Sequence, residues 1–266
     1  HSRPWNDPTS PWNKAFYNLV TGWGKILSQL GYYDYYGHYY YFGPFGVIHK
    51  MKEDLPAFYE LGGTFLMLEN EPVFAAQGIN HYISARLSWD IKVNVDALLE
   101  EFFSLYYGPV REPMRKFWLT AERYFALERP GTRTETRVAL RPEFWDELSE
   151  YMREAQKIAS SLPPEQKRFA DRVKFNADGF EYGKIVFEYE YKYKWGNVSS
   201  PTLDSIVQLA AGKNKQSAIA YLKANKTKLD EIKSRYYEKS PYWPPFLPSW
   251  SWFDVDAALK ELQENK

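Results

Sequence analysis

The sequence predicts an α/β unit followed by an all-α region, and three observations predict it. Two apolar or aromatic runs, 31–42 and 64–68, bracket a segment of helical periodicity, the strand–helix–strand order of a parallel sheet or barrel. From residue 75 onward the apolar positions recur at helical spacing. Gly108-Pro109 then stops one of those helices, which places the boundary between a first region, 1–108, and a second, 109–266.

Residues 1–13 carry three prolines and two tryptophans and read as a loop. Lys14 to Leu30 places Phe16, Leu19, Val20, Trp23, Ile26, Leu27 and Leu30 at helical spacing, weakened by Gly22 and Gly24. The aromatic segment 31–42 reads as a strand that runs out into a loop. Val47 to Leu61 is helical again, with Pro56 expected to kink or divide it. Gly62-Gly63 breaks the chain before Thr64-Phe65-Leu66-Met67-Leu68, a short continuous apolar run of the kind buried on both faces of a sheet.

Ile79 to Trp89 opens the helical part. Asn94 is a plausible N-cap for Val95 to Tyr107, with Asp96 in the first turn. Further helices are expected at about 110–127, 142–160, 163–194, 202–211 and 214–237. A proline-aromatic loop at 241–253 is expected to pack across them, before a short helix from Asp254. Arg86 and Asp90 stand at i,i+4 spacing, an ion-pair arrangement. Two parallel strands leave two open sheet edges. The chain is therefore expected to be a fragment whose remaining strands come from an N-terminal segment or a second chain.

The chain has 266 residues, with 34 Lys and Arg against 34 Asp and Glu. A balanced charge argues against nucleic-acid backbones as partners, since they require a basic surface. No apolar run approaches the ~20 residues that span a bilayer. There is no cysteine, hence no disulfide, thiolate ligand or cysteine nucleophile. No HExxH, paired-histidine or EF-hand pattern calls for a metal, and no P-loop or GxGxxG calls for a nucleotide, so no cofactor is expected.

The chemistry concentrates in Gly31 to Phe45, GYYDYYGHYYYFGPF. Aromatic faces stack on sugar rings and carboxylates grip hydroxyls, so the segment reads as a carbohydrate-binding edge. Gly37, Gly43 and Pro44 place several of its rings on a turn. Along a strand Tyr33 and Tyr35 share one face, while Asp34 and Tyr36 share the other. Asp34 and Glu69 stand at the ends of the two strands. Glycosidases need two carboxyl groups about 5–5.5 Å or about 6.5–9.5 Å apart, and these two could form such a pair. Asp34 could equally cap the following turn. His38, beyond the strand, suits a sugar contact or a loop hydrogen bond. Glu71, beside Pro72, is a weaker candidate for the same cleft.

A series of short matches adds to this reading. It includes His1, Asn6-Asp7-Pro8, Asn13, Trp23-Gly24-Lys25, Tyr33-Asp34-Tyr35-Tyr36 and Glu69. It continues through Tyr82, Ala85-Arg86-Leu87, Trp89-Asp90, Val95-Asp96, Leu98-Leu99, Glu101-Phe102 and Tyr106-Tyr107-Gly108. Over residues 1 to about 120 the chain thereby resembles the bacterial DUF4838 family, whose characterised members are endo-β-N-acetylglucosaminidases. The family often has a cysteine between Asp7 and Asn13, where this chain has Thr9 and Ser10.

The resemblance implies the last strands and helices of a (β/α)8 glycosidase barrel, followed by a helical domain. It implies a glycan substrate containing N-acetylglucosamine and a secreted or cell-envelope location. Cleavage would be substrate-assisted and retaining, with the general acid upstream and the substrate acetamido oxygen as nucleophile. Tyr33, Tyr35 or Tyr36 would donate to that oxygen, and His1, Asn6 and Asp7 would line the cleft. The alternative is a non-catalytic carbohydrate-binding or interaction module on the same scaffold.

Overall fold

A computed structural model describes residues 3–7, 9–37, 43–69, 74–128, 134–189, 215–236 and 253–264. The chain begins with helix α1 (Pro11–Gly24), strand β1 (Leu30–Tyr35), α2 (Ile48–Glu60) and strand β2 (Gly63–Glu69). Helices α3 (Phe74–Trp89), α4 (Val95–Tyr107), α5 (Arg111–Leu127), α6 (Thr134–Ala139), α7 (Pro142–Ser160) and α8 (Lys167–Glu188) follow. The last two described are α9 (Lys215–Tyr236) and α10 (Val255–Glu264).

β1 and β2 pair in parallel, from Leu30↔Gly63 to Tyr35↔Glu69, with a register shift between Leu30 and Gly31. Along β1 burial alternates strictly, Leu30, Tyr32 and Asp34 inward and Gly31, Tyr33 and Tyr35 outward. α2 lines the inward side with Met51, Leu55 and Phe58, spaced to fall on one helical stripe. Pro56 lies inside α2 near its end, and of the expected kink or division the division does not occur, since the helix stays continuous through it.

A carboxylate from another element fixes the start of α2. Glu122 on α5 accepts from the Ile48 N–H at 3.1 Å, and from the His49 N–H at 2.6 Å, while the His49 ring nitrogen Nδ1 lies 2.6 Å from it. A negative charge there complements the helix dipole. Gly46 permits the approach, since a Cβ at that position would come within 2.5 Å of the Glu122 Cα.

The fold is mostly helical, and it corrects the expectation of a barrel fragment. Among the described residues there are two strands, both short, and their outward face is bare. Phe65 is 63 % and Met67 54 % exposed, so β2 is not buried on both faces as its apolar run suggests. In a (β/α)8 barrel helices cover the outside of every strand. Here the helices from α3 onward pack on one another instead, α5 on α7, α7 on α8 and α3 on α8. A strand–helix–strand pattern is locally the same in a barrel and in a two-stranded pair, which is why the sequence suggests the larger structure.

One apolar cluster runs from Trp5 through β1, α2 and α3–α7 to Phe180. A second joins α8 to α9 and α10 through Tyr182, Val186, Leu222, Leu229 and Val255. The caps largely follow the sequence. Asn94 accepts from the Ala97 N–H at 3.0 Å, and Gly108 takes a positive φ of 52° at the end of α4. The Arg86–Asp90 pair does not form. Arg86 instead bonds Glu101 at 2.7 Å, and the Asp90 carboxylate accepts from the Lys92 N–H at 2.9 Å. The helix expected at 202–211 and most of the 241–253 loop lie outside the described residues. No described helix is long and apolar enough to cross a membrane.

Candidate functional site around the first strand

Strand alternation gives β1 two chemically different sides. On the inward side, Asp34 sits in a closed polar network beneath the sheet, only 8 % exposed. Lys50 of α2 donates to Asp34, to Asp54 at 2.6 Å and to the Tyr32 hydroxyl at 3.0 Å. Tyr32 donates to Asp34 in turn, and the other Asp34 oxygen accepts from the Tyr35 N–H at 2.8 Å. Trp5 closes the network, its backbone N–H on Asp54 at 2.8 Å and its indole N–H on the Tyr32 hydroxyl at 2.9 Å.

Two carboxylates share one ammonium here, which leaves a net negative charge in a buried place. Burial works to lower the pKa of Lys50, but Asp34 and Asp54 override it and hold the amine above its ordinary value. Burial pushes Asp54 up to about 6, against the pull of Lys50, and the charge of Asp34 pushes the same way. Burial first, then Asp34, raises the Tyr32 phenol, so it stays protonated and serves as a donor. Tyr36 is wholly buried, with Lys50 Nζ 5.2 Å from its ring centroid. The side chain of Asn80 donates to the Tyr36 and Phe45 carbonyls at 3.1 and 2.9 Å, pinning the turn after β1.

On the outward side, Tyr33 and Tyr35 are 45 % and 43 % exposed. Their ring centroids lie 5.1 Å apart, edge to face, and the Tyr33 hydroxyl donates to that of Tyr35 at 3.0 Å. Phe65 and Met67 of β2 extend this surface. Glu69 shares the register position of Tyr35, whereas Asp34 is level with Leu68. Asp34 and Glu69 are therefore not cross-strand partners.

The remaining predicted residues separate. Asn6 is exposed in the N-terminal loop. The carboxylate of Asp7 accepts from the Thr9 N–H at 2.8 Å and the Thr9 hydroxyl at 2.6 Å, a local turn bond, and lies 3.7 Å from Arg3. Its pKa is lowered, the Thr9 and Arg3 contacts outweighing burial, which acts to raise it. His1, His38 and Glu71 lie outside the described residues. The structure thus brings together Tyr33 and Tyr35 on one side, and Asp34 and Tyr36 on the other.

Sequence reasoning missed Trp5, Tyr32, Lys50 and Asp54. A signal for two of them was present: Lys50 and Asp54 are opposite charges at i,i+4, each one residue before Met51 and Leu55 of the apolar stripe. A charge pair on the flank of a buried stripe points to a buried partner. Nothing in the spacing identified Asp34 as that partner.

Residues 1–119 match the family model described as a domain of unknown function, DUF4838. No curated protein and no solved structure gives a match.

Proposed function

We propose that the outward face of β1 is a sugar-binding surface, and that the chain serves a glycoside hydrolase acting on N-acetylglucosamine-containing glycans. The observation that carries this reading is the pair Tyr33 and Tyr35, two exposed rings with linked hydroxyls on a rigid strand. A pyranose stacks its C–H face on such a ring, and a tyrosine hydroxyl can donate to an acetamido oxygen. That donation would hold the oxygen near the anomeric carbon for substrate-assisted cleavage. The likeness of residues 1–119 to DUF4838 adds support, given the activity that the resemblance implies.

In this reading Asp34 is a positioning residue. It grips the Tyr35 N–H and is itself clamped by Lys50 and Tyr32, so the outward rings rest on a fixed backbone. Glu69, whose backbone pairs in register with Tyr35, is the second acidic residue in this reading. Calorimetric titration with chitotriose tests the proposal. Wild-type chain is expected to bind, Tyr33→Ala and Tyr35→Ala to lose most of the affinity, and Glu69→Gln to lower any turnover more than binding. No binding by the folded wild type contradicts it.

A second reading rests on α1. That helix buries none of its residues and exposes Trp12, Leu19 and Trp23, the kind of apolar face that marks an interaction surface. It favours a polypeptide-interaction module. Concentration-dependent association in sedimentation, without glycan binding, would select it.

A further inference from the structure

A cavity of about 480 Å³, within the range of small-molecule sites, lies among α3, α4, α5 and α8. Its walls are mostly rings: Phe74, Tyr82, Phe102, Tyr106 and Trp118. Phe102 and Tyr106 stack with centroids 5.2 Å apart and planes 8° from parallel, which makes one wall flat. The polar groups at its base are already engaged with one another. The Trp118 indole donates to the Tyr107 hydroxyl at 2.8 Å, Tyr107 donates to Asn176 at 2.9 Å, and Asn176 donates to the Ala75 carbonyl at 2.8 Å.

Arg172 is the exception. It is half-buried on the cavity lining, with its guanidinium 4.4 Å from the Tyr106 ring centroid. Its Nη1 donates to the Leu105 and Tyr106 carbonyls at 3.0 and 2.8 Å, which fixes the plane of the group at the end of α4. Among the described residues no carboxylate pairs with it. Nearby cations differ: Arg86 has Glu101 at 2.7 Å, and Lys174 has Asp178 at 3.1 Å. A fixed guanidinium with Nε and Nη2 left over is suited to a carboxylate.

We infer that this cavity binds a small aromatic carboxylate, its ring between the Phe102–Tyr106 wall and Trp118 and its charge on Arg172. The walls favour an aromatic acid over an acidic sugar. A sugar would bury several hydroxyls against a lining whose Trp118, Tyr107 and Asn176 groups already bond one another, and unpaired buried hydroxyls are costly. Gly78 supplies a means of closing the site. A Cβ there meets only Phe74, at 3.7 and 3.8 Å, so a larger side chain can enter the cavity without a backbone clash.

The test is titration of the full chain by ligand-observed NMR with trans-cinnamate, its neutral amide and glucuronate, each variant first checked for folding by circular dichroism. Cinnamate is expected to bind, with the amide at least about tenfold weaker and glucuronate silent. Arg172→Met should lose about tenfold or more for cinnamate and little for the amide, and Gly78→Leu should abolish both signals. Should Arg172→Met fail to fold, the acid-to-amide ratio in the wild type and the response of Gly78→Leu still decide the matter. Absence of cinnamate binding, equal affinity for acid and amide, preference for glucuronate, or unchanged binding by Gly78→Leu would each overturn the inference.

Discussion

On β1 and the residue after it, the side facing the core carries charge along with the Tyr32 and Tyr36 rings, while the side facing solvent carries the Tyr33 and Tyr35 rings without charge, an unusual distribution. Inward, Asp34 and Tyr32 are knitted to Lys50, Asp54 and Trp5. Outward, Tyr33 and Tyr35 touch each other and stand beside exposed Phe65 and Met67. The difference shows how a strand can be stiffened from behind to present rings in front. A buried ion network tolerates little displacement, because moving either partner strands a charge in a poor solvent. The strand it holds is accordingly a stable platform.

The largest loss is expected at Lys50. Replacing Lys50 with Met leaves two buried carboxylates without their cation and is expected to cost about 3–5 kcal/mol of stability, read from urea unfolding. A loss below about 1 kcal/mol would mean that the inward network does not hold the strand.

The next effect is in pH. Between the ordinary carboxyl value near 3.8 and about 6, folded Asp54 holds a proton that the unfolded chain has released. Its contribution to stability therefore falls as pH rises through that window, by about 3 kcal/mol in all. Asp54→Asn should remove this slope, so the variant gains on wild type between pH 4 and pH 7 in thermal denaturation. Lys50 acts at the other end: its contribution persists up to its ordinary value and is lost as pH climbs through the raised folded value.

The smallest stability effect belongs to the outward side. Tyr33→Ala and Tyr35→Ala should each change unfolding free energy by within about 0.5 kcal/mol, as exposed substitutions do. Glycan affinity should fall about tenfold, equivalent to about 1.4 kcal/mol. The two sides of one strand would then separate stability from binding.

Much of the chain was legible because its signals are local. The stripe Met51, Leu55 and Phe58 marks α2, Asn94 marks the start of α4, and Gly108-Pro109 marks its end. Alternation correctly assigned Tyr33 and Tyr35 to one side of β1 and Asp34 to the other. Which side faces the core could not be read, because both carry aromatics and the deciding partners, Lys50 and Trp5, are 16 and 29 residues away from Asp34. The barrel expectation failed for a related reason. The apolar run 64–68 looks doubly buried, yet Phe65 and Met67 are open, and sequence cannot show what a hydrophobic face packs against. The cavity at Arg172 joins residues from four helices, and no spacing announces it.

The most direct measurement of the central claim is amide chemical-shift mapping of the chain titrated with chitotriose, in wild type and in the Tyr33→Ala, Tyr35→Ala double variant. Saturable shifts centred on residues 33–35 and 65–69 are expected in wild type, and their loss in a double variant that unfolds at the same urea concentration. Shifts that persist in the double variant, or that fall elsewhere on the chain, would contradict it.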